Sequence, residues 1–156
     1  MQNNGRGIIV MTDDDLLKLD NQLCHRFYSV SNAFTRAYRP LLQKMDITYP
    51  QYLVLLALWE HKQLTISALV EKSRIDPGGL TLILKKLEQK GYVFIQPSEQ
   101  DKRVKQVVLT SKGKAAKADA AVIPKELLCQ IKNLDMNELQ LLSGLIDRLY
   151  CDLTHS

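Results

Sequence analysis

The chain has 156 residues, of which 46% are apolar and 24% charged, so it is long enough for one domain with a substantial core. These values exclude a largely disordered chain. The apolar run near the N-terminus covers only residues 8–11, which is too short for the core of a signal peptide, and no stretch approaches a membrane span. We therefore expect a cytoplasmic protein that does not associate with a membrane.

The cysteines and histidines do not form a recognisable metal or disulfide pattern. Cys24, Cys129 and Cys151 are odd in number, lie far apart and include no Cys-x-x-Cys pair, which argues against a disulfide framework and against a zinc site. The three histidines have no ligand-like spacing either: they are His25, His61 and His155. We expect a protein of a reducing compartment that holds neither metal nor cofactor.

The net charge of +4 is concentrated in the middle third of the chain. Between residues 72 and 105 there are four acidic side chains, and there are eight basic ones, Lys72, Arg74, Lys85, Lys86, Lys90, Lys102, Arg103 and Lys105. The rest of the chain carries as many acidic as basic residues. A clustered basic surface suits a polyanionic partner, although a solvated basic face without a partner has the same composition.

The N-terminal third predicts a long helix. Thr12 and the three aspartates that follow it favour a helix start, where free N–H groups and the positive end of the dipole attract them. Apolar residues then recur at alternating steps of three and four, at Leu16, Leu19, Leu23, Phe27, Val30, Phe34 and Tyr38. Pro40 is expected to kink or end this helix. The stripe exceeds the needs of so small a core, so we expect part of it to contact another subunit.

The segment that follows predicts a helix-turn-helix. Tyr49-Pro50 opens a second helix, and residues 65–72 form a compact third one. Asp76-Pro77-Gly78-Gly79 provides a turn and a cap for a further helix over residues 80–90, which Gly91 ends. Two short helices joined by a tight turn, the second of them basic, are typical of this motif.

A hairpin and further helices complete the predicted fold. Residues 92–96 and 105–109 are rich in β-branched side chains and predict two strands, with a charged hairpin tip between them. Thr110 or Ser111 caps a helix that runs through Lys132 with an interruption at Pro124, and Asn133 or Asp135 starts the last helix. The predicted fold is mainly α with a small two-stranded β-wing, a winged helix-turn-helix.

This order of elements predicts a surface for double-stranded DNA. Residues of the second helix of the motif would face base edges in the major groove, namely Gly79, Thr81, Lys85 and Lys86. Lys90 is placed for a phosphate contact. At the wing tip, Arg103 would enter a narrow minor groove beside Lys102, with Asp101 holding its guanidinium. A surface salt bridge is the alternative role of Arg103.

The residues of the predicted wing form a recognisable motif, Asp101-Lys102-Arg103 followed by Leu109-Thr110 and Gly113. This motif resembles the wing signature of MarR-family regulators. The order of helices is similar along nearly the whole chain. The resemblance implies an intertwined homodimer whose N- and C-terminal helices interleave. It also implies that two winged domains read the half-sites of a palindromic operator.

The first half resembles one subgroup of that family, the organic-hydroperoxide-resistance repressors (OhrR), in the runs Leu19-Asp20-Asn21-Gln22-Leu23-Cys24, Tyr28, Tyr38-Arg39-Pro40-Leu41-Leu42, Ile47-Thr48-Tyr49-Pro50-Gln51-Tyr52 and Leu58-Trp59-Glu60-His61. The resemblance implies that Cys24 is the peroxide-reactive cysteine and that an organic hydroperoxide is the inducer. It further implies that Tyr38 and Tyr49 hydrogen-bond the thiolate from the partner subunit. The chain departs from the subgroup at Asp76-Pro77-Gly78-Gly79, the start of the helix predicted to face DNA. The resemblance therefore does not imply which bases the individual residues of this helix contact.

The chemistry expected of Cys24 also follows from its surroundings. A thiolate attacks peroxides and becomes sulfenic acid. The apolar stripe around Leu23 and Phe27 would disfavour the anion, so donors such as tyrosine hydroxyls must stabilise it. Tyr28 lies one turn further on and can share its face of the helix. The alternative is that Cys24 is a small buried hydrophobic residue.

A sulfenic acid can condense with a second thiol, and Cys129 and Cys151 both lie in the predicted C-terminal helices. The resemblance favours Cys129, since two-cysteine members carry a resolving cysteine in this helix that bonds to the other subunit. The alternatives are ordinary core packing for Cys129 and resolution by Cys151.

We divide the chain into an N-terminal helix and sensor region over residues 13–48, a winged helix-turn-helix over 49–110 and C-terminal dimerisation helices over 111–156. Two other functions are alternatives to a redox-sensing repressor. One is a regulator relieved by a non-covalent aromatic ligand, with structural cysteines. The other is a thiol peroxidase, but an enzyme is not expected, because it would not explain the basic winged segment, and no phosphate-cradling loop or Ser/His/Asp arrangement is present.

Overall fold

The computed structural model describes residues 12–154, so the apolar run 8–11, His155 and Ser156 lie outside the described residues. Eleven elements follow one another: helices α1 (Asp13–Leu17), α2 (Leu23–Leu42), α3 (Tyr49–His61), α4 (Ile66–Ser73), α5 (Pro77–Gln89), α6 (Ser111–Ala120), α7 (Ile123–Leu128) and α8 (Met136–Thr154), with strands β1 (Gln63–Thr65), β2 (Val93–Pro97) and β3 (Lys105–Leu109). Short 3₁₀ turns cover Leu19–Asn21 and Gln43–Met45. The described part of the chain is mainly helical, as predicted.

The N-terminal helix is broken, and the prediction of one continuous helix is wrong. Thr12 caps α1 as expected, since the Asp15 amide donates to its hydroxyl oxygen at 3.2 Å. The backbone then becomes extended at Lys18 and again at Gln22. The Asn21 side-chain amide donates to the Asp15 carbonyl at 2.8 Å, and that of Gln22 donates to the Leu16 carbonyl. These polar side chains bind carbonyls at the end of α1, and so compete with a continued helix.

Pro40 lies inside the last turn of α2, which continues to Leu42 rather than ending at the proline. Asp46 then adopts a left-handed conformation, with φ of 50°, and turns the chain toward α3. Thr48 and Gln51 form a capping box at the start of α3, and Pro50 occupies its first turn.

The sheet has three antiparallel strands in the order β1-β3-β2. The predicted hairpin is present, with Ile95 of β2 opposite Val107 of β3. The third strand was not predicted. Lys62 leaves α3 with φ of 64°, and Leu64 then pairs with Val107 from the other side. Thr65 ends β1 and also caps α4 by accepting the Ala68 amide, so the strand has only the length that remains between α3 and α4. A strand this short has no alternating pattern that the sequence could show.

The helix-turn-helix consists of α4 and α5. Arg74 ends α4 in a left-handed conformation, and Asp76 caps α5 by accepting the Gly79 amide at 2.8 Å. A Cβ at position 79 would lie 2.8 Å from the other oxygen of Asp76, so a larger residue there would make the capping carboxylate shift. Gly91 follows α5 with φ of 74°, as expected of a residue that ends a helix.

The core surrounds α3, on which Tyr52, Val54, Leu55 and Leu58 are almost fully buried. Leucines of α5 pack against this helix, together with residues of the sheet and of α6. Two polar groups anchor the edges of the core. The Trp59 indole donates to the Gly113 carbonyl at 2.8 Å, and the Tyr92 hydroxyl donates to the Met45 carbonyl at 2.6 Å.

The C-terminal helices are more divided than the sequence predicted. Thr110 caps α6 through the Gly113 amide, but α6 stops at Ala120, ahead of Pro124, which lies in the first turn of α7. Helix α7 stops at Leu128 rather than continuing to Lys132. Asp135 and Glu138 then exchange side-chain and backbone hydrogen bonds of 2.8 and 2.9 Å at the start of α8.

Two apolar faces are uncovered in the described chain. The first lies on α1, α2 and the turn between them, and its exposed residues are Leu16, Leu17, Leu19, Leu23, Phe27, Val30 and Phe34. The second lies on α8, which has no buried residue, and exposes Leu141, Leu142, Leu145, Ile146 and Leu153. We refer to these as the α2 face and the α8 face.

Gly113 allows α6 to approach β2, and we predict that Gly113→Ala is strongly destabilising. The new Cβ would lie 2.1 Å from the Tyr92 carbonyl oxygen and 3.0 Å from a methyl of Leu109. That carbonyl is already fixed by the Thr110 amide at 3.0 Å, so it cannot move without breaking the hydrogen bond. The expected loss in free energy of unfolding is about 2–3 kcal/mol.

Urea unfolding at one fixed protein concentration measures this loss. Ser111→Ala is the matched control, because Ser111 is exposed on the same helix and should change stability by less than about 0.5 kcal/mol. Equal midpoints for the two variants would contradict the close approach.

Candidate nucleic-acid interface and thiol site

Helix α5 has a buried side and an exposed side. Leu80, Leu84 and Leu87 face the core with at most 2% exposure. The exposed side carries the residues predicted to face DNA, Thr81, Lys85 and Lys86, and also Leu82, which was not among the predicted contacts. The half-buried Gly79 belongs to the cap of the helix.

Lys90 differs from the other predicted basic contacts because it is held within the fold. Its ammonium lies 3.3 Å from an Asp46 carboxylate oxygen and donates to the Asp46 carbonyl. The interaction ties the C-terminus of α5 to the turn before α3. A phosphate contact by Lys90 stays a prediction, and it would require this ammonium to share or leave Asp46.

The wing tip presents an arginine that its neighbour orients. The Arg103 side chain is 91% exposed, and its guanidinium lies 3.2 and 3.3 Å from the two carboxylate oxygens of Asp101. The Arg103 amide donates to the same carboxylate at 3.0 Å. This amide, and then the guanidinium, lower the pKa of Asp101. The pairing expected from the sequence is present, and Lys102 is exposed beside it.

Cys24 is the second residue of α2, and its side chain is exposed in the single chain. The apolar enclosure expected around it is not formed by this chain alone. Tyr28, one turn further on, is 69% exposed. The break in the N-terminal helix therefore places Cys24 in the first turn of a helix, and not inside a longer one.

Tyr38 and Tyr49 lie together at the far end of α2. Their rings are stacked with centroids 4.6 Å apart and planes 27° apart, and Tyr52 lies 5.7 Å from Tyr38. Burial raises the pKa of both Tyr38 and Tyr49. Tyr38 lies fourteen positions after Cys24 on this helix, a distance of about 21 Å along the axis. The structure thus brings the two tyrosines together but not with the cysteine of the same chain.

The other two cysteines lie on separate elements. Cys129 is the exposed residue that ends α7, and its amide donates to the Lys125 carbonyl at 3.0 Å. Cys151 is exposed on α8. Neither lies in the core, so the alternative of ordinary core packing for Cys129 is not supported.

Arg74 links the helix-turn-helix to the C-terminal helix, a role that sequence reasoning missed. Its guanidinium lies 3.9 Å from the centre of the Tyr150 ring and 3.6 Å from an Asp147 oxygen, both on α8. The contact joins positions more than seventy residues apart, so no local pattern indicates it. We call this contact the Arg74 clasp.

Residues 12–154 contain no cluster of three or more histidine, cysteine, aspartate or glutamate side chains able to hold a metal ion. Within the same range, no helix is both long and apolar enough to cross a membrane.

Comparison with known proteins now identifies the family. The family described as the MarR family matches residues 47–105. The organic hydroperoxide resistance transcriptional regulator of Bacillus subtilis is 44% identical over 131 residues, which cover 84% of this chain and 89% of that protein. The chain belongs to the MarR family.

Solved structures agree with this assignment. The structure of reduced AbfR bound to DNA is 30% identical and has a TM-score of 0.75, covering 92% of this chain and 98% of that one. A mutant MarR from E. coli, complexed with operator DNA, is 29% identical and has a TM-score of 0.73, covering 81% of this chain and 92% of that one. The predicted winged helix-turn-helix fold is confirmed, and the relatives are transcriptional regulators rather than enzymes.

Proposed function

We propose that this MarR-family protein is a homodimeric repressor that binds a palindromic operator and is released when an organic hydroperoxide oxidises Cys24. The observation that carries the proposal is the exposed, carboxylate-oriented Arg103 on the wing, together with the exposed basic side of α5. The Bacillus relative named for organic hydroperoxide resistance supports the choice of inducer. A repressor of this kind would act in the cytoplasm.

The DNA contact divides between the two parts of the winged domain. Helix α5 would lie in the major groove, where Thr81, Lys85 and Lys86 are exposed for contact. Arg103 would enter the minor groove, and Asp101 reduces the entropy lost on binding by holding the guanidinium before contact. Residues 49–110 are the proposed DNA-binding region.

Dimerisation would cover the two uncovered faces. Large exposed apolar patches on a protein surface mark interaction sites. The α2 face belongs to residues 13–48 and the α8 face to residues 111–156, so a second copy would bury both ends of the chain. The winged domain between them would remain available for a half-site.

The geometry of α2 supports a thiol site shared between two subunits. Fourteen residues are close to four helical turns, so Cys24 and Tyr38 project from nearly the same side of α2, about 21 Å apart. Two antiparallel copies of α2, crossing near Ser31, would therefore place each Cys24 beside the Tyr38 of the other copy. Tyr49 is stacked on Tyr38 and would move into the site with it.

The tyrosines are suited to stabilising a thiolate. Because burial raises the pKa of Tyr38 and Tyr49, both phenols keep their protons at neutral pH and can donate hydrogen bonds. Donors to the anionic sulfur favour the reactive thiolate over the thiol. Tyr28 would add a third hydroxyl from the same helix as Cys24.

The proposed redox chemistry has two steps. The Cys24 thiolate attacks the terminal peroxide oxygen, the O–O bond breaks, and with one proton the products are an alcohol and a cysteine sulfenic acid. The sulfur has then lost two electrons to the peroxide. The Cys129 thiol of the other subunit next displaces water from the sulfenic acid and forms an intersubunit disulfide.

The disulfide would move α7 and α8, and this movement can reach the DNA-binding surface. A disulfide holds its two Cα atoms within about 7 Å, so Cys129 must be brought to Cys24. The Arg74 clasp joins α8 to the turn immediately before α5. Displacement of α8 would therefore shift the two recognition helices relative to each other and change the half-site spacing.

The first prediction concerns the sensor. The probe is a DNA duplex selected from a random-sequence library by the reduced protein. Cumene hydroperoxide should release wild-type protein from this duplex in fluorescence anisotropy, and dithiothreitol should restore binding. Cys24→Ser should bind the duplex and stay bound, since its hydroxyl is not oxidised. Release of Cys24→Ser at the same dose would contradict a thiol mechanism and favour a ligand-relieved regulator.

The second prediction concerns the resolving cysteine. After oxidation, wild-type protein should run as a covalent dimer on a non-reducing gel, and Cys129→Ser should run as a monomer. Cys151→Ser is the matched control and should retain the dimer band. A band that persists in Cys129→Ser and disappears in Cys151→Ser would assign resolution to Cys151.

The third prediction concerns the wing. Arg103→Ala should weaken binding to all duplexes and reduce the slope of log affinity against log salt concentration by about one per subunit, since one phosphate-region charge is lost. Lys125→Ala, on α7, makes the same change in net charge outside the proposed interface. An Arg103→Ala slope equal to that of the control would exclude a DNA contact by this arginine.

A further inference from the structure

The N-terminal half of α5 presents an unusually apolar surface where a recognition helix would face bases. Leu82 is 64% exposed, whereas Leu80, Leu84 and Leu87 of the same helix are at most 2% exposed. Leu82 therefore contributes little to the core. On a helix that is otherwise amphipathic, it is the one large apolar side chain on the exposed side.

The neighbouring threonine adds to this apolar surface. The Thr81 hydroxyl donates to the Pro77 carbonyl at 2.9 Å, one turn earlier in the helix. Its hydrogen is thus used within α5, so Thr81 can offer a partner its methyl group and an acceptor oxygen but no donor. Thr81 and Leu82 are adjacent and both exposed.

The first turn of α5 offers no side-chain donor. It begins Pro77-Gly78-Gly79, and the carboxylate of Asp76 fills the space beside Gly79 because it caps the helix. The first exposed cationic side chain is that of Lys85, a turn beyond Thr81. Any hydrogen bond that this half of the helix donates to a base would have to come from the backbone.

We infer that α5 recognises thymine through apolar contacts of Leu82 and the Thr81 methyl with the C5 methyl group. In the major groove that methyl is the only methyl group of the four bases, so an apolar side chain can distinguish thymine by it. Lys85 and Lys86 would supply charge without this selectivity. The inference rests on the proposed operator binding and names Leu82 as its specificity-determining residue.

The experiment uses the full-length reduced protein and the duplex that it selects from the random library. Each thymine of the duplex is replaced in turn by deoxyuridine, which keeps base pairing and removes only the methyl group. At the contacted position, binding should weaken about fourfold per half-site, and about 15-fold when both half-sites are changed, as expected for the loss of one buried methyl each.

A double-mutant cycle then assigns the contact to a side chain. Leu82→Ala should weaken binding to the thymine duplex and lose most of the sensitivity to deoxyuridine at the same position. Thr81→Ser, which lacks the methyl, should lose part of the sensitivity to deoxyuridine, whereas Thr81→Val, which keeps a methyl and lacks the hydroxyl, should keep that sensitivity. Because Leu82 and Thr81 are exposed, thermal unfolding should be nearly unchanged, which separates loss of contact from loss of fold.

The outcomes distinguish this inference from the function on which it rests. If the library yields no selected duplex, the proposed operator binding fails. If a duplex is selected but deoxyuridine is tolerated at every position, operator binding stands and the apolar readout is overturned. If Leu82→Ala remains as sensitive to deoxyuridine as the wild type, Leu82 does not make the contact.

Discussion

The close approach of α6 to the start of β2 fixes the relative positions of most elements in the winged domain. Gly113 lies against the Tyr92 carbonyl where no side chain would fit, and its own carbonyl accepts the Trp59 indole. Thr110 donates to the Gly91 carbonyl at 2.6 Å on the same side. One short segment thus fixes α3, the base of the wing and the start of the C-terminal helices relative to one another. The positions of the wing tip and of α5 also depend on this junction, because the strands of the wing and the leucines of α5 pack in the same core.

The junction also separates a well-packed region from one that a single chain leaves open. Buried side chains concentrate from Leu42 to Leu127, whereas the α2 and α8 faces expose their apolar residues. Burial of apolar area stabilises by about 25 cal/mol per Å², so leaving two such faces in water is costly unless another surface covers them. The proposed dimer supplies that surface from a second copy. On this view the winged domain is complete within one chain, and the thiol site is not.

The sequence predicted those features of the structure that depend on residues close together in the chain. Asp76, Thr110 and Gly91 act within three or four residues, and their caps and ends appear where predicted. The break after α1 was missed because the periodicity of the apolar stripe continues through it, while the side chains of Asn21 and Gln22 decide the backbone. Strand β1 and the Arg74 clasp were missed because each depends on a distant partner, Val107 for the first and Tyr150 for the second. Nothing near them in the sequence specifies those partners.

The proposed coupling between thiol and operator must act in both directions. If the disulfide lowers operator affinity by some factor, operator binding lowers the equilibrium constant for disulfide formation by the same factor, because the two equilibria form one thermodynamic cycle. A disulfide would therefore form less readily in a repressor bound to its operator than in one free in solution.

The rate of the initial attack of Cys24 on a peroxide does not obey this reciprocity, because the reciprocity holds only for equilibrium free energies. The sulfenic acid could form on DNA, and the cost of distorting the dimer would fall on the second step, where Cys129 must cross to the other subunit. The Arg74 clasp is the contact through which the operator would resist that movement, since it joins the α8 helix to the turn that carries α5.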